Sequence, residues 1–319
     1  MRCRVLTLAR VASLGALALL ALDALAAPKS YKCDPGTAKV GVGCECPKGL
    51  APTVDDKGVA RCLTELGSPK KDAPSFGGKP APSDCPSGMV GIPGGRYKLA
   101  VRRDDVEVAP FCLDATEVTV LAIEACVDGK ACREPTAYAA TLAETFCNWK
   151  HPSRRAKHPV NCVDWSQATA YCAFVGRRLP TEEEWEWAAR SGDKGWKYPW
   201  GDSAPTEERA NACGKECPPN VKAKIGFAMP AHLDGDDAFP ETAPVGSFPK
   251  GDNRWGVHDL SGNVAELTSS KFETGGSDRV ERGGSWFHFE AQGLSAGARE
   301  RVAPTSNGMG IGFRCAKTP

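Results

Sequence analysis

The chain has almost no net charge and few histidines, and both shortages exclude classes of function. Its 40 lysine and arginine residues nearly balance 39 aspartate and glutamate residues, so nothing in the charge suggests a nucleic acid or an anionic membrane surface as partner. None of the five histidines has another at the short spacing of a metal motif. G-x-S-x-G, P-loop and dinucleotide-binding motifs are also absent, as is any internal repeat.

Long apolar runs are lacking except at the amino terminus. Residues 1–26 have a basic start, an apolar centre and an Ala-Leu-Ala ending, which is the pattern of a secretory signal peptide. The apolar run is shorter than a bilayer span requires, and no lipid-anchor motif ends in a cysteine near the cut. The sequence therefore predicts an exported protein, secreted or in a bacterial periplasm or cell envelope, with no membrane span after cleavage.

Cysteine, by contrast, is abundant. Of fifteen cysteines only Cys3 lies in the signal segment, and an even number remains. In an exported chain this favours disulfides over metal thiolates. Two close pairs, C-x-C at 44–46 and C-x3-C at 213–217, lack a second ligand pair at zinc-finger spacing, so zinc is not expected.

Composition divides the mature chain into three parts. Residues 28–66 are rich in Gly, Pro and Asp and carry Cys33, Cys44, Cys46 and Cys62. A module this small needs disulfides to stay folded, and four cysteines permit three pairings. Residues 67–84 consist mostly of Pro, Gly, Ser and Lys, which predicts a flexible linker. The main domain spans residues 85–319.

Helix signals are confined to the first half of the main domain. Thr119 is a good N-cap for a helix over Val120–Val127, and the cysteines at 126 and 132 flank its end and are expected to pair. Ser166 is the expected cap of a second helix, which runs to residue 175. Thr181 and Glu184 form the capping box of a third. After residue 201 helix signals are few, and so irregular a segment usually needs disulfides or bound ions.

Seven phrases of the main domain occur in a recognisable order. They are F-C-L-D-A-T-E-V-T, H-P-V-N-C-V-D-W, A-Y-C-A-F-V-G-R-R-L-P-T-E-E-E-W-E-W-A-A-R, Y-P-W-G-D, G-N-V-A-E-L, R-G-G-S-W and G-F-R-C-A. In this order they resemble the formylglycine-generating enzyme, or sulfatase-modifying factor, family over residues 86–319. The resemblance implies an α+β fold, a variant of the C-type lectin fold with little regular secondary structure and stapled by disulfides.

The resemblance also implies a set of disulfides. In the family the cysteines of A-Y-C and G-F-R-C are bonded, which corresponds to Cys172–Cys315 here. Closing so long a loop stabilises the fold by about 4–5 kcal/mol in the chain-entropy model. The remaining expected pairs are local: Cys85–Cys112, Cys126–Cys132, Cys147–Cys162 and Cys213–Cys217.

Two structural calcium sites are implied as well. One set is the side chains of Asn211 and Asp237 with the carbonyls of Ala212 and Phe239. The other is the side chains of Asp259 and Glu266 with the carbonyls of Gly262 and Val264. Such mixed sets of hard oxygens suit Ca²⁺. The alternative is that the acidic residues at 234, 236 and 237 form a solvated turn and that Glu266 is a surface charge. Where the family usually has W-E-W, this chain has A-E-L at 265–267.

The copper site of the family is missing. The family enzyme oxidises a sulfatase cysteine to formylglycine with oxygen and a copper ion, and two cysteine thiolates just after G-G-S hold the copper. Here Ser285 is followed by W-F-H, and no cysteine lies between Cys217 and Cys315. The positions of a second family disulfide fall near Ala189 and Ala296. Copper and formylglycine generation are therefore not expected.

Three hypotheses about function remain. The first is a non-oxidising domain that binds a peptide or another exported protein in the family's substrate groove. The second is an enzyme with altered chemistry around four residues: Ser285, His288, Arg299 and Glu300. The third is a structural protein of the cell envelope that makes contact through its amino-terminal module. A lone serine is usually a turn residue and a lone histidine is seldom a ligand, so Ser285 and His288 are weak catalytic candidates.

Overall fold

The computed structural model describes residues 79–100, 105–136, 145–231, 234–288 and 290–319, and the backbone of five short strands between residues 32 and 64. The expected signal peptide, residues 67–78 of the expected linker and the pairing of the four amino-terminal cysteines lie outside the described residues. In the described part no helix is long and apolar enough to cross a membrane.

The chain divides into two compact units, residues 1–68 and 69–319. The first contains β1 to β5, with bounds Lys32–Cys33, Ala38–Val40, Gly43–Glu45, Leu50–Val54 and Val59–Thr64. Strand β5 pairs with β1 in parallel and with β4 antiparallel, while β2 and β3 form a hairpin.

Within the residues of the second unit that the structure describes, nine short strands form three sheets. Their bounds are β6 Met89–Ile92, β7 Gly95–Lys98, β8 Asp105–Val108, β9 Phe111–Asp114, β10 Ala265–Lys271, β11 Arg279–Arg282, β12 Glu300–Val302, β13 Ile311–Gly312 and β14 Ala316–Lys317. The largest sheet has the order β12-β11-β10-β13, in which only β13 runs parallel to its neighbour. The others are β14-β9-β6 and the hairpin β7-β8. Strand β12 lies at the edge of the largest sheet, and this edge position matters for the site.

Helices are short. They are α1 Val120–Asp128, α2 Pro152–Arg155, α3 Trp165–Phe174, α4 Glu182–Ala189 and α5 Cys217–Ile225, with 3-10 turns at Asn148–Lys150, Gly192–Lys194 and Pro249–Gly251. Together with the small sheets they confirm the predicted α+β fold with little regular structure. Helices are few beyond residue 201, as expected, but helix α5 was not predicted individually. Its signals were present, since prolines occupy its first turn and Gly226 ends it at φ 71°.

The helix caps agree with the sequence in two cases and differ in one. Thr119 accepts a hydrogen bond from the amide of Ala122, and Thr181 forms the predicted capping box with Glu184. The cap of α3 is Asp164, and the prediction of Ser166 was wrong. Asp164 Oδ1 accepts from the Gln167 amide at 2.8 Å, because a carboxylate is the stronger acceptor and stands at the correct distance from the third helical amide.

Disulfides tie these pieces together. Five are present in the described part, and they coincide with the expected pairs, the one that the resemblance implied, Cys172–Cys315, and the four local ones: Cys85–Cys112, Cys126–Cys132, Cys147–Cys162 and Cys213–Cys217. The pair at 172 and 315 joins α3 to the last turn before β14 inside the core of α1, α3 and β13. Ala189 and Ala296 are buried in one neighbouring apolar cluster, so packed methyl groups stand where the family has its second disulfide.

Candidate functional site

The turn that follows β11 positions Ser285 and His288. Gly284 precedes them at φ 67°, in the left-handed region, and a Cβ there would lie 2.8 Å from the carbonyl oxygen of Gly293. A Cβ at Gly310 would lie 2.5 Å from Ser285 Oγ. Only glycine fits at both positions, which explains why the phrases R-G-G-S-W and G-I-G-F-R carry glycines where two segments meet.

His288 connects Ser285 to the edge strand. Its Nδ1 accepts a hydrogen bond from the Ser285 amide at 2.9 Å and lies 3.2 Å from Ser285 Oγ. The backbone donor leaves Nδ1 unprotonated, so Nε2 carries the hydrogen and donates it to Glu300 Oε1 at 2.8 Å. This hydrogen bond holds the pKa of the Glu300 carboxyl below its usual range. Ser285 and His288 were weak candidates as isolated residues in the sequence, and the structure brings the His288 ring against Ser285.

A cavity of about 490 Å³ lies beside this connection. It is open to solvent, and its surface is part polar and part apolar. Its lining residues come from the loop after the turn and from the start of β12: His288, Glu290, Gln292, Gly293, Ser295, Gly297, Ala298, Arg299 and Glu300. The cavity is large enough to hold one or two amino-acid side chains of a ligand.

Ser285 does not reach this cavity. Its side chain is buried, its Oγ accepts a hydrogen bond from the Phe287 amide at 3.3 Å, and its carbonyl accepts from the His288 amide. A nucleophile needs an exposed oxygen beside its base. The order Ser–His–Glu therefore does not form a hydrolytic triad, and Ser285 has the contacts of a turn residue.

Residues 79–319 offer no free thiol to the site. All ten of their cysteines are in disulfides, and Cys213 and Cys217 bond to each other beside the turn. Copper(I) requires soft sulfur ligands, which the lining residues do not offer. The residues present do not fit the family's copper ion.

Buried ion pairs lie next to the cavity and fix the segments that line it. Arg299 Nε donates to Glu182 Oε1 at 2.6 Å, and Arg282 contacts Glu186 through Nη2. All four side chains are almost fully buried. Helix α4 is thus joined by charge-assisted hydrogen bonds to β11 and to the residue that precedes β12. Arg299, which was among the enzymatic candidates, is consequently engaged in the fold.

The first expected calcium set lies together in the structure. Asn211 Nδ2 contacts three oxygens: Asp237 Oδ2 at 3.2 Å and the carbonyls of Phe239 and Glu241 at 3.5 and 3.0 Å. Asn211 Oδ1 is buried and has no hydrogen-bond partner among the described residues. A 180° rotation of the side-chain amide exchanges its nitrogen and oxygen, so that Oδ1 faces the same three oxygens. Burial raises the pKa of Asp237 to about 7. The carboxylate and carbonyl oxygens gathered here are hard donors of the kind that fits Ca²⁺.

In the second expected calcium set, both carboxylates already accept hydrogen bonds from the protein. Glu266 accepts on both oxygens from Arg314, and Asp259 Oδ2 accepts from the Gly246 amide at 2.6 Å. Burial, reinforced by the charges of Asp259 and Glu266, raises the pKa of nearby Glu117 well above its usual range. Three buried carboxyl groups lie near one guanidinium here, and that guanidinium occupies both oxygens of Glu266.

Neither set is a cluster of acidic or histidine side chains alone. Among the described residues there is no group of three or more His, Cys, Asp or Glu side chains that is able to hold a metal. Both expected sets contain two side chains and two carbonyls, so such a cluster is not required for them. Trp185 Nε1 donates to Glu266 Oε2 at 2.8 Å, which brings an indole of α4 to the carboxylate that lacks the family's flanking tryptophans.

Comparison with known proteins identifies relatives of this arrangement. The sulfatase-modifying factor enzyme 1-like domain matches residues 78–319. The inactive Cα-formylglycine-generating enzyme 2 of Mus musculus is 34% identical over 279 residues, which cover 72% of this chain and 85% of that protein. The formylglycine-generating enzyme of Bos taurus is 28% identical over 302 residues, covering 75% and 76%.

One further relative matches a shorter stretch of the chain, and one solved structure shares its fold. Hercynine oxygenase of Mycolicibacterium thermoresistibile is 37% identical over 153 residues, which cover 40% of this chain and 29% of that protein. The structure of PvdO from Pseudomonas aeruginosa superposes with a TM-score of 0.56 at 23% identity and covers 77% of this chain and all of that one. At that identity the superposition shows a shared fold only.

Proposed function

This chain belongs to the sulfatase-modifying factor family, and we propose that within it the chain is an exported domain that binds a peptide or protein segment and does not generate formylglycine. The observation that carries the proposal is the cavity beside His288. It keeps an open binding space with both polar and apolar surface, while no thiol of the described residues is free to bind copper. A relative named as inactive, which matches 72% of the chain, supports the loss of oxidation.

A bound segment has a backbone partner available in the same place. Strand β12 is the edge of its sheet, and its first residue, Glu300, lines the cavity. An edge strand offers unpaired amides and carbonyls to an extended peptide, while the neighbouring cavity receives one of its side chains. Export is supported by the signal pattern of residues 1–26 and by the five disulfides, which are typical of oxidising compartments.

Calcium is part of the proposal as a structural ion. The unpartnered Asn211 Oδ1 and the buried Asp237 form the better site, and the carboxylates of Asp259 and Glu266 form the second. Bound Ca²⁺ supplies positive charge to loops that carry excess buried negative charge. The chain's own carbonyls and carboxylates position those loops around the turn at residues 283–288.

An altered enzyme is the second candidate, and the contact between His288 and Glu300 in the cavity favours it. A histidine paired with a carboxylate is a common general base. The relative named hercynine oxygenase covers only 40% of the chain, so its activity does not transfer. The same two experiments distinguish the segment-binding domain from the altered enzyme.

The first experiment tests oxidation. The purified full chain is incubated with a cysteine-containing sulfatase peptide, copper and oxygen, and the peptide is weighed by mass spectrometry. We expect the mass of the unmodified peptide. Formation of the aldehyde would overturn the non-oxidising proposal and favour the enzymatic one.

The second experiment tests binding. A displayed library of random peptides is selected on the full chain, and the selected peptides are tested against Ser295→Trp, which fills the cavity. The control is Ala125→Trp on the exposed face of α1. We expect Ser295→Trp to abolish binding and Ala125→Trp to leave it intact. A library that yields no binder, or binders indifferent to Ser295→Trp, would contradict a segment-binding cavity.

A further inference from the structure

Two carboxyl groups lie directly opposite each other where β11 pairs with β12. In this antiparallel pair Glu281 is the register partner of Glu300. Glu300 is half-exposed and accepts a hydrogen bond from His288 Nε2 at 2.8 Å, which favours its charged form. Like charges directly opposite in a sheet are destabilising. The two strands therefore pair most stably while Glu281 is uncharged.

The surroundings of Glu281 do not stabilise a charge. The residue is only 8% exposed, and none of the residues that the structure describes forms a hydrogen bond or an ion pair with its carboxyl group. The crevice that it lines is too narrow for a water molecule. A carboxylate buried without water, a donor or a cation is costly, so the packed protein favours the protonated acid.

The elements around Glu281 add no cation. Its register partner on β10 is the apolar Leu267, and its partner on β12 is Glu300. Most other residues that line the crevice are glycines and alanines. Arg282 lines it as well, but its guanidinium is bonded to Glu186 and to two backbone carbonyls. A charge on Glu281 thus gains a partner only if it reaches solvent.

Burial raises the pKa of Glu281 from 4.5 to about 8, and the charge of Glu300 adds to the shift. A movement of β12 that brings this carboxyl group into water restores the lower value. Between the two values the exposed carboxyl releases a proton that the packed one retains. Packing is therefore fully stable below about pH 4.5 and weakens until about pH 8, with an opening equilibrium that rises up to about tenfold per pH unit.

We propose that Glu281 makes the pairing of β12 with β11 sensitive to pH: the uncharged side chain lets β12 pack, and its ionisation releases β12 locally. Strand β12 is at the edge of its sheet, so it moves without breaking the other strand pairs. Arg299 before it is bonded to Glu182, and Val302 at its end is buried, which confines the opening to the region of Glu300. Because Arg299 and Glu300 line the cavity, the opening changes the wall of that cavity.

Hydrogen exchange of the free full chain, followed by mass spectrometry from about pH 5 to about pH 8, measures this opening. Each rate is divided by the rate of the same sequence in an unstructured peptide, since intrinsic exchange also accelerates with pH. We expect the protection of β11 and β12 to fall by up to about tenfold per pH unit. The protection of β6, which belongs to another sheet, is the internal reference for any global effect of pH.

Three variants identify the group responsible. Glu281→Gln keeps nearly the shape of the uncharged acid and cannot ionise, so the protection of β12 should no longer depend on pH. Glu300→Gln removes the opposing charge, so the fall in protection should end at a lower pH; this variant also tests the proposal if Glu281→Gln does not fold. Glu107→Gln, at an exposed carboxylate paired with Arg96 on the β7–β8 hairpin, is the control and should keep the wild-type profile.

A direct titration complements the exchange data. In a chain labelled with ¹³C at the glutamate carboxyls, the NMR signal that Glu281→Gln lacks belongs to Glu281, and its midpoint is expected near pH 8. A midpoint near 4.5 would overturn the proposal. So would protection of β12 that follows β6 at every pH, or a fall in protection that persists in Glu281→Gln. All these measurements use the chain without a ligand, so they stand or fail independently of segment binding.

Discussion

Arg314 holds Glu266 through two parallel hydrogen bonds, from Nε to Oε2 and from Nη2 to Oε1, each 2.7 Å long. Both side chains are completely buried, and the same guanidinium donates to the carbonyls of Asp114 and His258 at 3.1 and 2.8 Å. One residue thus joins three segments that are far apart in sequence. The arginine of G-F-R-C and the glutamate of G-N-V-A-E-L are one structural unit.

Removal of this arginine is expected to be strongly destabilising. Arg314→Met leaves the Glu266 carboxylate buried without its cation and leaves two carbonyls without a donor. Loss of one partner of a buried pair costs about 3–5 kcal/mol in the free energy of unfolding. Urea denaturation at neutral pH measures the difference.

A matched pair within the chain provides the control. Arg178 and Glu184 have the same two-bond geometry at 2.7 Å, but the Arg178 side chain is 38% exposed. Arg178→Met is expected to cost no more than about 1 kcal/mol, because water replaces the lost partner. Equal losses in the two variants would show that burial does not decide the contribution of Arg314.

The disulfides should differ in how much they stabilise the fold, according to the length of the loop that each one closes. Cys172–Cys315 spans 143 residues and Cys126–Cys132 spans 6. In the chain-entropy model, replacing the first pair by alanine costs about 5 kcal/mol and replacing the second about 2 kcal/mol. Denaturation of both double variants in the absence of reductant tests the order. A larger loss from the short loop would contradict the entropic account.

Calcium is expected to raise the melting temperature of the full chain, and chelation to lower it. Stabilisation amounts to about 2.7 kcal/mol at a hundredfold excess over the dissociation constant. Asp237→Asn should reduce the calcium-dependent shift, because that carboxylate is buried beside Asn211. The exposed neighbour Asp234 is the control, and Asp234→Asn should keep the full shift. A metal-free protein by elemental analysis, with melting that calcium leaves unchanged, would remove both sites.

His158 should make the protein acid-sensitive. Burial, with the nearby Arg155 cation, lowers the pKa of His158 to about 3, against about 6.5 in an unfolded chain. Between these values the unfolded chain binds a proton that the folded chain does not, so stability is complete above pH 6.5 and falls as the pH is lowered toward 3.

The variant His158→Gln isolates this contribution. It removes the titrating ring and leaves the carboxylates that also titrate in this range. The wild-type protein should lose stability more steeply than the variant between pH 6 and pH 4, by on the order of 1 kcal/mol per pH unit. Urea denaturation at several pH values gives both profiles. Parallel profiles would show that His158 does not set the slope.

The sequence alone determined the family, the α+β fold class and the expected cysteine pairs, because long ordered phrases and capping residues carry that information locally. It also placed Thr119 and Thr181 at their helix starts. It did not predict helix α5. It also placed the cap of α3 at Ser166, whereas the cap is the nearby Asp164, whose carboxylate is the stronger acceptor.

Only the tertiary structure decided the character of the site. The opposition of Glu281 and Glu300 depends on the register of two strands, and His288 reaches Glu300 only because the turn after Gly284 folds back on the edge strand. The cation that pairs with Glu266 is the guanidinium of Arg314, 48 positions along the chain. Such contacts follow from packing and from strand register, which local propensity does not encode.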